Sequence, residues 1–345
     1  MVMSEELFHQ DPTTTSTKNA RNQEIIDDFL RKKAEEGKSE SLRRNYQYDI
    51  KDFIKNLKIM SIDNVMIEDL EEYIEVMRNR KCSGSTINRR LSAIKALFKF
   101  LIKKNRRLLR RLKRTSDSQE EIEKIREKIE EFEEIVEIGR VKSIKKEKLP
   151  FTLEEVKEIL LKAKNTSMRN YLILKLSAIG TGARNTAIRK LKKEDLECFK
   201  CNGNCNSCTP TVKVLRKGKT EKGQDDRNKI RVRIEHHTCK EIREFINLSN
   251  NGNKLVFKSR MQQSALSILQ LNRILKKAVE QAGIDLKGRT YHSLRHTFIT
   301  EGIKNGTPYG HMARQVDHEG KLGITGKYEH MSAKDLKINF ININI

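Results

Sequence analysis

The most informative stretch of the sequence is Tyr291-His292-Ser293-Leu294-Arg295-His296-Thr297. Its pattern predicts a helix, on which residues three positions apart lie on the same face. His292 and Arg295 therefore project from one face and can bind a single anionic group together. The chain continues to an isolated Asp317-His318 pair and then to Tyr328, so further reactive side chains follow this helix.

Two arginines, two histidines and a tyrosine suit an attack on a phosphodiester. Arg184 and Arg295 can each donate paired hydrogen bonds to phosphate oxygens, which a lysine cannot imitate. His292 and His318 can supply hydrogen bonds or transfer protons near neutral pH. A tyrosine hydroxyl has an ordinary pKa of about 10, so Tyr328 must lose its proton as it attacks. The set predicts phosphoryl transfer through a tyrosine.

The order of six residues along the chain resembles the catalytic set of the tyrosine recombinases, also called the phage integrase family. They are Arg184, Lys217, His292, Arg295, His318 and Tyr328. Residues 293–298 closely resemble the family's most specific motif, and His318 precedes Tyr328 by ten residues, near the family's usual interval. Tyr291, which adjoins that motif, and Tyr309, which follows it too soon, are the weaker candidates for the nucleophile.

The resemblance implies a mechanism. Tyr328 would attack the scissile phosphate to give a 3′-phosphotyrosine and a free 5′ hydroxyl, and no cofactor would be needed for catalysis. The tetrapeptide Arg216-Lys217-Gly218-Lys219 resembles the family's Gly-Lys-Gly turn. Lys217 is therefore assigned as the proton donor to the leaving 5′ oxygen, and Lys219 is the alternative.

The resemblance also implies a function, site-specific recombination of DNA in integration, excision or dimer resolution. The partners would be duplex DNA with inverted-repeat core sites, further copies of the chain in a tetramer on two sites, and an accessory DNA-bending protein where one is needed. Two alternatives stay open. A type IB topoisomerase shares the chemistry but religates the same strand, and an architectural protein would bind DNA without cleaving it.

Two positions depart from the family pattern. The family usually has an acidic residue three positions after the first arginine, where this chain has Ala187. It usually has a glycine before the second histidine, where this chain has Asp317. The first change removes an orienting partner for nearby side chains, and the second adds a negative charge beside the site.

Composition supports a nucleic-acid partner. The chain has 345 residues, enough for two domains, and its 71 Lys plus Arg against 47 Asp plus Glu give a formal net charge of +24. So large an excess repels itself unless a polyanion neutralises it. The sequence shows neither a membrane-length apolar run nor the apolar core of a signal peptide near its start. We therefore expect an intracellular, cytoplasmic protein that contacts no membrane.

The first half of the chain predicts an all-helical domain that resembles the family's core-binding domain. Residues 1–20 are polar and predict a mobile tail, and residues 21–104 predict helices that include the stripe Ile50, Phe53 and Leu57 and a helix from Ile67 to Met77. A further helix capped by Ser85 or Thr86 has basic edges. The residues predicted to contact DNA are Ser85, Thr86, Arg89, Arg90 and Lys95, with Lys219 from the second domain.

Residues 105–148 predict an insertion between the two domains. A basic run ends near Arg114, and a Glu-rich segment follows in which Ile122, Ile125, Ile129, Phe132 and Val136 recur at three- and four-residue steps. This seam predicts an amphipathic helix that packs on its own chain, and a dimer seam is the less favoured alternative.

Residues 149–345 predict a catalytic domain that is mostly helical with a small antiparallel sheet. Thr152 and Glu155 form a capping box that opens its first helix. Alternating apolar residues predict two short strands, at 212–214 and 230–234, joined by a basic segment. The fold class is therefore mainly α.

Four cysteines lie close together between the Arg184 helix and the predicted hairpin. They form two Cys-x-x-Cys pairs: Cys198, Cys201, Cys205 and Cys208. Four thiolates with this spacing suit a structural zinc ion, because four protein ligands leave no open position for catalysis. The gap between the pairs is shorter than in most zinc ribbons, so an iron–sulfur cluster and free thiols remain alternatives.

Overall fold

The computed structural model describes residues 12–56, 61–115, 118–144, 149–197, 209–216, 228–249, 252, 254–259, 264–317, 336–341 and 343. The chain folds into two compact units, residues 1–146 and 147–345. Within the described ranges, no helix is both long enough and apolar enough to cross a membrane.

The first unit is helical throughout its described part. Its helices are α1 (Pro12–Glu35), α2 (Glu40–Asn56), α3 (Ile67–Asn79), α4 (Gly84–Thr115) and α5 (Gln119–Glu137), with a short 3-10 turn at Ile62–Asn64. The predicted stripe on α2 faces the core, since Ile50 and Phe53 are fully buried, while Leu57 lies outside the described residues. The all-helical prediction is therefore confirmed for this unit.

Two helices of this unit begin earlier than predicted. Helix α1 begins at Pro12, inside the segment predicted to be a mobile tail. Proline suits the first turn of a helix. Ile26 and Phe29, later in α1, are buried in the core and stabilise the helix, so its Thr-rich first turns need no apolar pattern of their own. Helix α4 begins at Gly84, and Ser83 rather than Ser85 or Thr86 caps it, because its Oγ accepts from the Thr86 N–H at 3.3 Å.

The Glu-rich seam packs on its own chain. Helix α5 lies against α4, and the rings of Phe98 and Phe132 meet edge to face with centroids 5.0 Å apart. Ile129 and Ile135 join the same core as α2 and α3. The apolar seam is therefore buried within the first unit, as predicted, and is not left for a dimer.

The second unit combines helices with one two-stranded sheet. Its helices are α6 (Leu153–Thr166), α7 (Met168–Lys175), α8 (Asn185–Arg189), α9 (His236–Ser249), α10 (Ile268–Gln281), α11 (Tyr291–Lys304) and α12 (Tyr309–Gln315). Strands β1 (Thr211–Leu215) and β2 (Lys229–Arg233) pair antiparallel, with Val212 opposite Val232. The Thr152–Glu155 capping box is present at the start of α6. The mostly helical fold with a small sheet is confirmed.

A small apolar cluster lies beside α11 and α12. Phe298, Met312 and Val316 pack there with Leu336 and Ile338 from the described segment 336–341. This cluster fixes the ends of α11 and α12 relative to each other and thereby supports residues 316–317, where the candidate site lies.

Candidate active site

A turn built around glycine positions Arg184. Helix α7 continues into one π-helical turn, Leu176–Gly180, and the chain then reverses through Gly182, which has φ +63°. A Cβ at Gly182 would lie 2.3 Å from Cδ1 of Phe298 on α11, so only glycine fits both the backbone and the space. The turn delivers Arg184 as the N-cap residue of α8, close to α11.

Buried polar contacts hold α11 in place. The Tyr291 hydroxyl is buried, shares a 2.5 Å hydrogen bond with Ser177 and donates to the Ile173 carbonyl at 3.0 Å. Burial raises the pKa of Tyr291 above its ordinary value. The Thr297 hydroxyl oxygen accepts from the Phe151 N–H at 2.8 Å. Tyr291, one of the weaker candidates for the nucleophile, therefore has an anchoring role.

Arg295 is buried under this turn. It is only 3% exposed, and its guanidinium donates to the Gly182 carbonyl at 2.9 Å and to the Val316 carbonyl. Burial lowers the pKa of Arg295 to about 9; the nearby charge of Arg184 acts in the same direction and Asp317 opposes it. Arg295 is therefore still a cation at neutral pH, held by backbone oxygens.

Arg184 contacts the next residue of the same short segment. Its Nη1 donates to Asp317 Oδ2 at 2.8 Å and its Nη2 donates to the Asp317 carbonyl at 2.5 Å. A guanidinium has five N–H donors, and the described partners of each arginine accept from two of them. The two arginines thus meet at residues 316–317.

Asp317 stands where the family usually has a glycine, and the structure shows what this aspartate does. Its φ is +50°, in the left-handed region that glycine adopts freely and that aspartate tolerates better than most residues. The backbone here therefore keeps a shape suited to glycine, while the side chain adds a carboxylate that binds Arg184. Ala187, the other departure, is buried on α8 and supplies no acidic partner.

His292 lies on α11 one turn before Arg295. Its ring meets that of His296 edge to face, with centroids 4.9 Å apart, and it is half-buried. The predicted grouping of His292 and Arg295 on one helix is therefore present.

Gln315 is a supporting residue that sequence reasoning missed. Its buried amide accepts from the Arg233 N–H at 2.9 Å and donates to the carbonyls of Arg233 at 2.7 Å and Thr181 at 3.3 Å. It thereby ties α12 to β2 and to the turn before Arg184. A single glutamine in a helical pattern carries no sequence signal for such a role.

The remaining predicted site residues fall outside the described ranges. They are Lys217, Lys219, His318, Tyr328 and the four cysteines Cys198, Cys201, Cys205 and Cys208. In the part of the chain that is described, no group of three or more His, Cys, Asp or Glu side chains could hold a metal ion. The assignments of these residues remain predictions.

The residues of the first unit that are predicted to contact DNA differ in their exposure and in their contacts within the protein. Ser85 is exposed, Thr86 is half-buried, and Arg89 pairs with Asp49 while its side chain stays 48% exposed.

Arg90 and Lys95 are largely occupied within the protein. The Arg90 side chain is 12% exposed, pairs with Asp52 and donates to the Tyr73 hydroxyl at 3.0 Å. Lys95 donates to the Ile138 carbonyl, and burial lowers its pKa. These contacts give both side chains a structural role, and their DNA contacts remain predictions.

Comparison with known proteins identifies the class. The model of the phage integrase family matches residues 150–335, more than half of the chain, and that of the phage integrase N-terminal SAM-like domain matches residues 26–105. The chain therefore belongs to the phage integrase family.

Individual relatives agree with this assignment. The chain is 25% identical over 312 residues to tyrosine recombinase XerC of Halalkalibacterium halodurans, covering 85% of this chain and 88% of the relative. Its fold resembles a lambda integrase dimer bound to a COC′ core site, with a TM-score of 0.60, 14% identity and coverage of 86% and 95% of the two chains. The fold also resembles a lambda integrase tetramer bound to a Holliday junction, with a TM-score of 0.60 and 14% identity. That match covers 92% of this chain and 84% of the lambda integrase chain.

Proposed function

We propose that this chain is a site-specific DNA recombinase that cleaves and rejoins duplex DNA through a phosphotyrosine at Tyr328. As a member of the phage integrase family, it is a DNA strand-transferase of the tyrosine class. The observation that supports the proposal best is the meeting of Arg184 and Arg295 at residues 316–317, immediately before His318. Two fixed guanidiniums that contact adjacent residues suit a phosphodiester in its transition state.

The proposed chemistry needs charge stabilisation and two proton movements. The Tyr328 oxygen forms a bond to phosphorus while the bond from phosphorus to the 5′ oxygen breaks. His292 and His318 hydrogen-bond the phosphate or accept the tyrosine proton, and Lys217 protonates the leaving oxygen, with Lys219 as the alternative. Because the phosphotyrosine keeps the energy of the broken bond, a DNA hydroxyl can reverse the step without a nucleotide cofactor.

The DNA substrate and the assembly belong to the same proposal. Duplex DNA is the partner, and we propose that the chain acts on inverted-repeat core sites as a tetramer spanning two of them. The similar lambda integrase structure is a tetramer on a Holliday junction, which supports that stoichiometry. An accessory DNA-bending protein remains a further proposed partner.

The direct test uses a duplex with a nick next to the cleavage point. Loss of the short leaving fragment should trap a covalent complex of protein and DNA. Tyr328→Phe should abolish that complex and leave DNA binding intact, because it removes one hydroxyl and keeps the ring. Tyr309→Phe is the matched control, since Tyr309 is 46% exposed and should be dispensable.

Other outcomes would point to the alternatives. Covalent complex with joined products only from the original strand would indicate a topoisomerase-like enzyme. Binding without any covalent complex would indicate an architectural protein. A complex that survives Tyr328→Phe and is lost with Tyr309→Phe would show that the nucleophile is wrongly assigned.

A structural zinc ion at the four cysteines is a separate proposal. It rests on the two Cys-x-x-Cys pairs in the sequence. Elemental analysis of protein purified without chelator should find about one zinc per chain, as four thiolate ligands complete one tetrahedral site. Iron in its place would favour a cluster, and a metal content near zero would exclude both.

A further inference from the structure

One face of α4 carries a straight row of cations. The row consists of Lys99, Lys103, Arg107, Arg110 and Arg114, here called the α4 stripe. Steps of three and four residues keep these side chains on one side of the helix. The N-terminal family match ends at residue 105 and the catalytic match begins at residue 150, so the outer three cations lie between the two matches, in the segment predicted to be an insertion.

The stripe is exposed and carries no ion pair with any described residue. All five side chains are exposed. Two cations just off the stripe do form ion pairs, since Lys104 pairs with Asp28 at 3.1 Å and Arg106 pairs with Glu133. These pairs leave the five stripe cations without an ion-pair partner among the described residues.

The acidic helix α5 does not neutralise the stripe, for a geometric reason. It covers the opposite, apolar face of α4 through Phe132 and its neighbours. Several of its carboxylates are used within α5, as in the pairs Lys124–Glu120 at 2.6 Å and Arg126–Glu123 at 2.5 Å. Helix α5 thus packs on the apolar face of α4 and forms no ion pair with the stripe among the described residues.

The carboxylates of α1 that lie near the inner end of the stripe are also occupied. Asp28 pairs with Arg31 as well as Lys104, Glu35 pairs with Lys32 at 2.8 Å, and Glu36 pairs with Lys33 at 2.8 Å. Like charges one helical turn apart repel one another. The stripe therefore favours a partner that supplies negative charges in a row.

We propose that the α4 stripe binds the phosphate backbone of duplex DNA, which gives the insertion a role as an added DNA-binding surface. From Lys99 to Arg114 the stripe is about 22 Å long, at about 1.5 Å per residue. A duplex segment of that axial length carries about six phosphates on each strand, and because they wind around the axis a straight row of cations contacts only some of them. Because it contacts phosphates, the stripe adds affinity on any sequence. The inference rests on the proposed action on DNA.

A pair of matched variants of the full chain tests it. Arg110→Gln/Arg114→Gln removes two cations from the stripe, whereas Lys124→Gln/Arg126→Gln removes two cations of α5 that form ion pairs within that helix. Affinity for a duplex carrying the core site is measured over a range of salt concentrations. The stripe variant should reduce the slope of log affinity against log salt by up to about 1.8, or about 0.9 per phosphate contact.

The control should leave that slope unchanged. Equal slopes in both variants and the parent would overturn the inference, as would an equal reduction in both variants, which would indicate a general effect of net charge. Self-association of the DNA-free chain at low salt that only the stripe variant loses would show that a second copy occupies the stripe, which also overturns it.

The nicked duplex separates this inference from the proposed function. If covalent complex forms and the stripe variant keeps the parent slope, the stripe inference alone is wrong. If no covalent complex forms and the stripe variant still reduces the slope, the stripe binds DNA in a protein that does not cleave it.

Discussion

The arginine pair of the second unit and the α4 stripe of the first use positive charge in opposite ways. Arg295 is almost fully buried, the Arg184 side chain is 17% exposed, and four hydrogen bonds hold them. The five stripe side chains are exposed and carry no ion pair with described residues. Burial makes a charge costly and fixes its direction, whereas exposure leaves it mobile and screened by salt.

The difference predicts how each region responds to change. A fixed donor aimed at developing charge gains strength from its low-dielectric surroundings and cannot be replaced by a cation of another shape. Exposed cations act through counterion release, so their effects are small, additive and dependent on salt. Substitutions in the pair should therefore act on cleavage, and substitutions in the stripe should act on binding.

The largest effect is expected at Arg295. Arg295→Ala should slow single-turnover cleavage of the nicked duplex by about a hundredfold to a thousandfold, as seen for loss of a single transition-state donor. Arg295→Lys should rescue little, because an ammonium cannot reproduce the forked contacts to Gly182 and Val316. A thermal unfolding midpoint close to the parent value, with DNA affinity reduced far less than cleavage, would show that the loss lies mainly in the chemistry. Cleavage restored by lysine would mean that charge alone suffices.

A smaller effect is expected at Asp317, which we expect to position Arg184. Asp317→Asn keeps the size of the side chain and the tolerance for positive φ, but removes the carboxylate charge that binds Nη1. Cleavage should fall about tenfold, equivalent to roughly 1.4 kcal/mol. Glu194→Gln, which removes an exposed carboxylate paired with Lys192, is the control and should have no effect. Faster cleavage by Asp317→Asn would show instead that the carboxylate competes with the phosphate for Arg184.

Much of the fold and part of the site could be predicted because local patterns encode them. Apolar periodicity predicted α2 and the seam of α5, and alternation predicted β1 and β2. The contact of Asp317 with Arg184 joins residues 133 positions apart, and the Gln315 amide joins three elements, so neither has a local signal. Arg90 shows the same limit, since sequence reveals its charge but not its partners Asp52 and Tyr73.

The buried arginine should also give DNA binding a measurable dependence on pH. Burial lowers the pKa of free Arg295 to about 9, and a bound phosphate should raise it again. At pH 9 the free side chain is about half protonated and the bound one almost fully, so binding should take up about half a proton. At pH 7 both states are protonated and the uptake should vanish.

Calorimetry at pH 9 in buffers of different ionisation enthalpy measures this uptake. Arg295→Gln should remove it, since the amide does not titrate. An identical proton uptake by parent and variant would assign the effect to other groups and would leave no evidence that the phosphate reaches Arg295.

The smallest effects are expected from single substitutions in the stripe. Their effects on DNA binding should add, whereas the effects of the two arginine substitutions on cleavage should not. Arg107→Gln, Arg110→Gln and Arg114→Gln should each lower the salt slope of DNA binding by about 0.9, and the triple variant by about 2.7. Arg184→Ala and Arg295→Ala should cost far less together than the sum of their separate losses, because both act on one transition state. If the triple stripe variant lowers the salt slope no more than a single variant does, only one of these cations contacts DNA. The stripe would then not act additively, and it would not differ from the arginine pair in this respect.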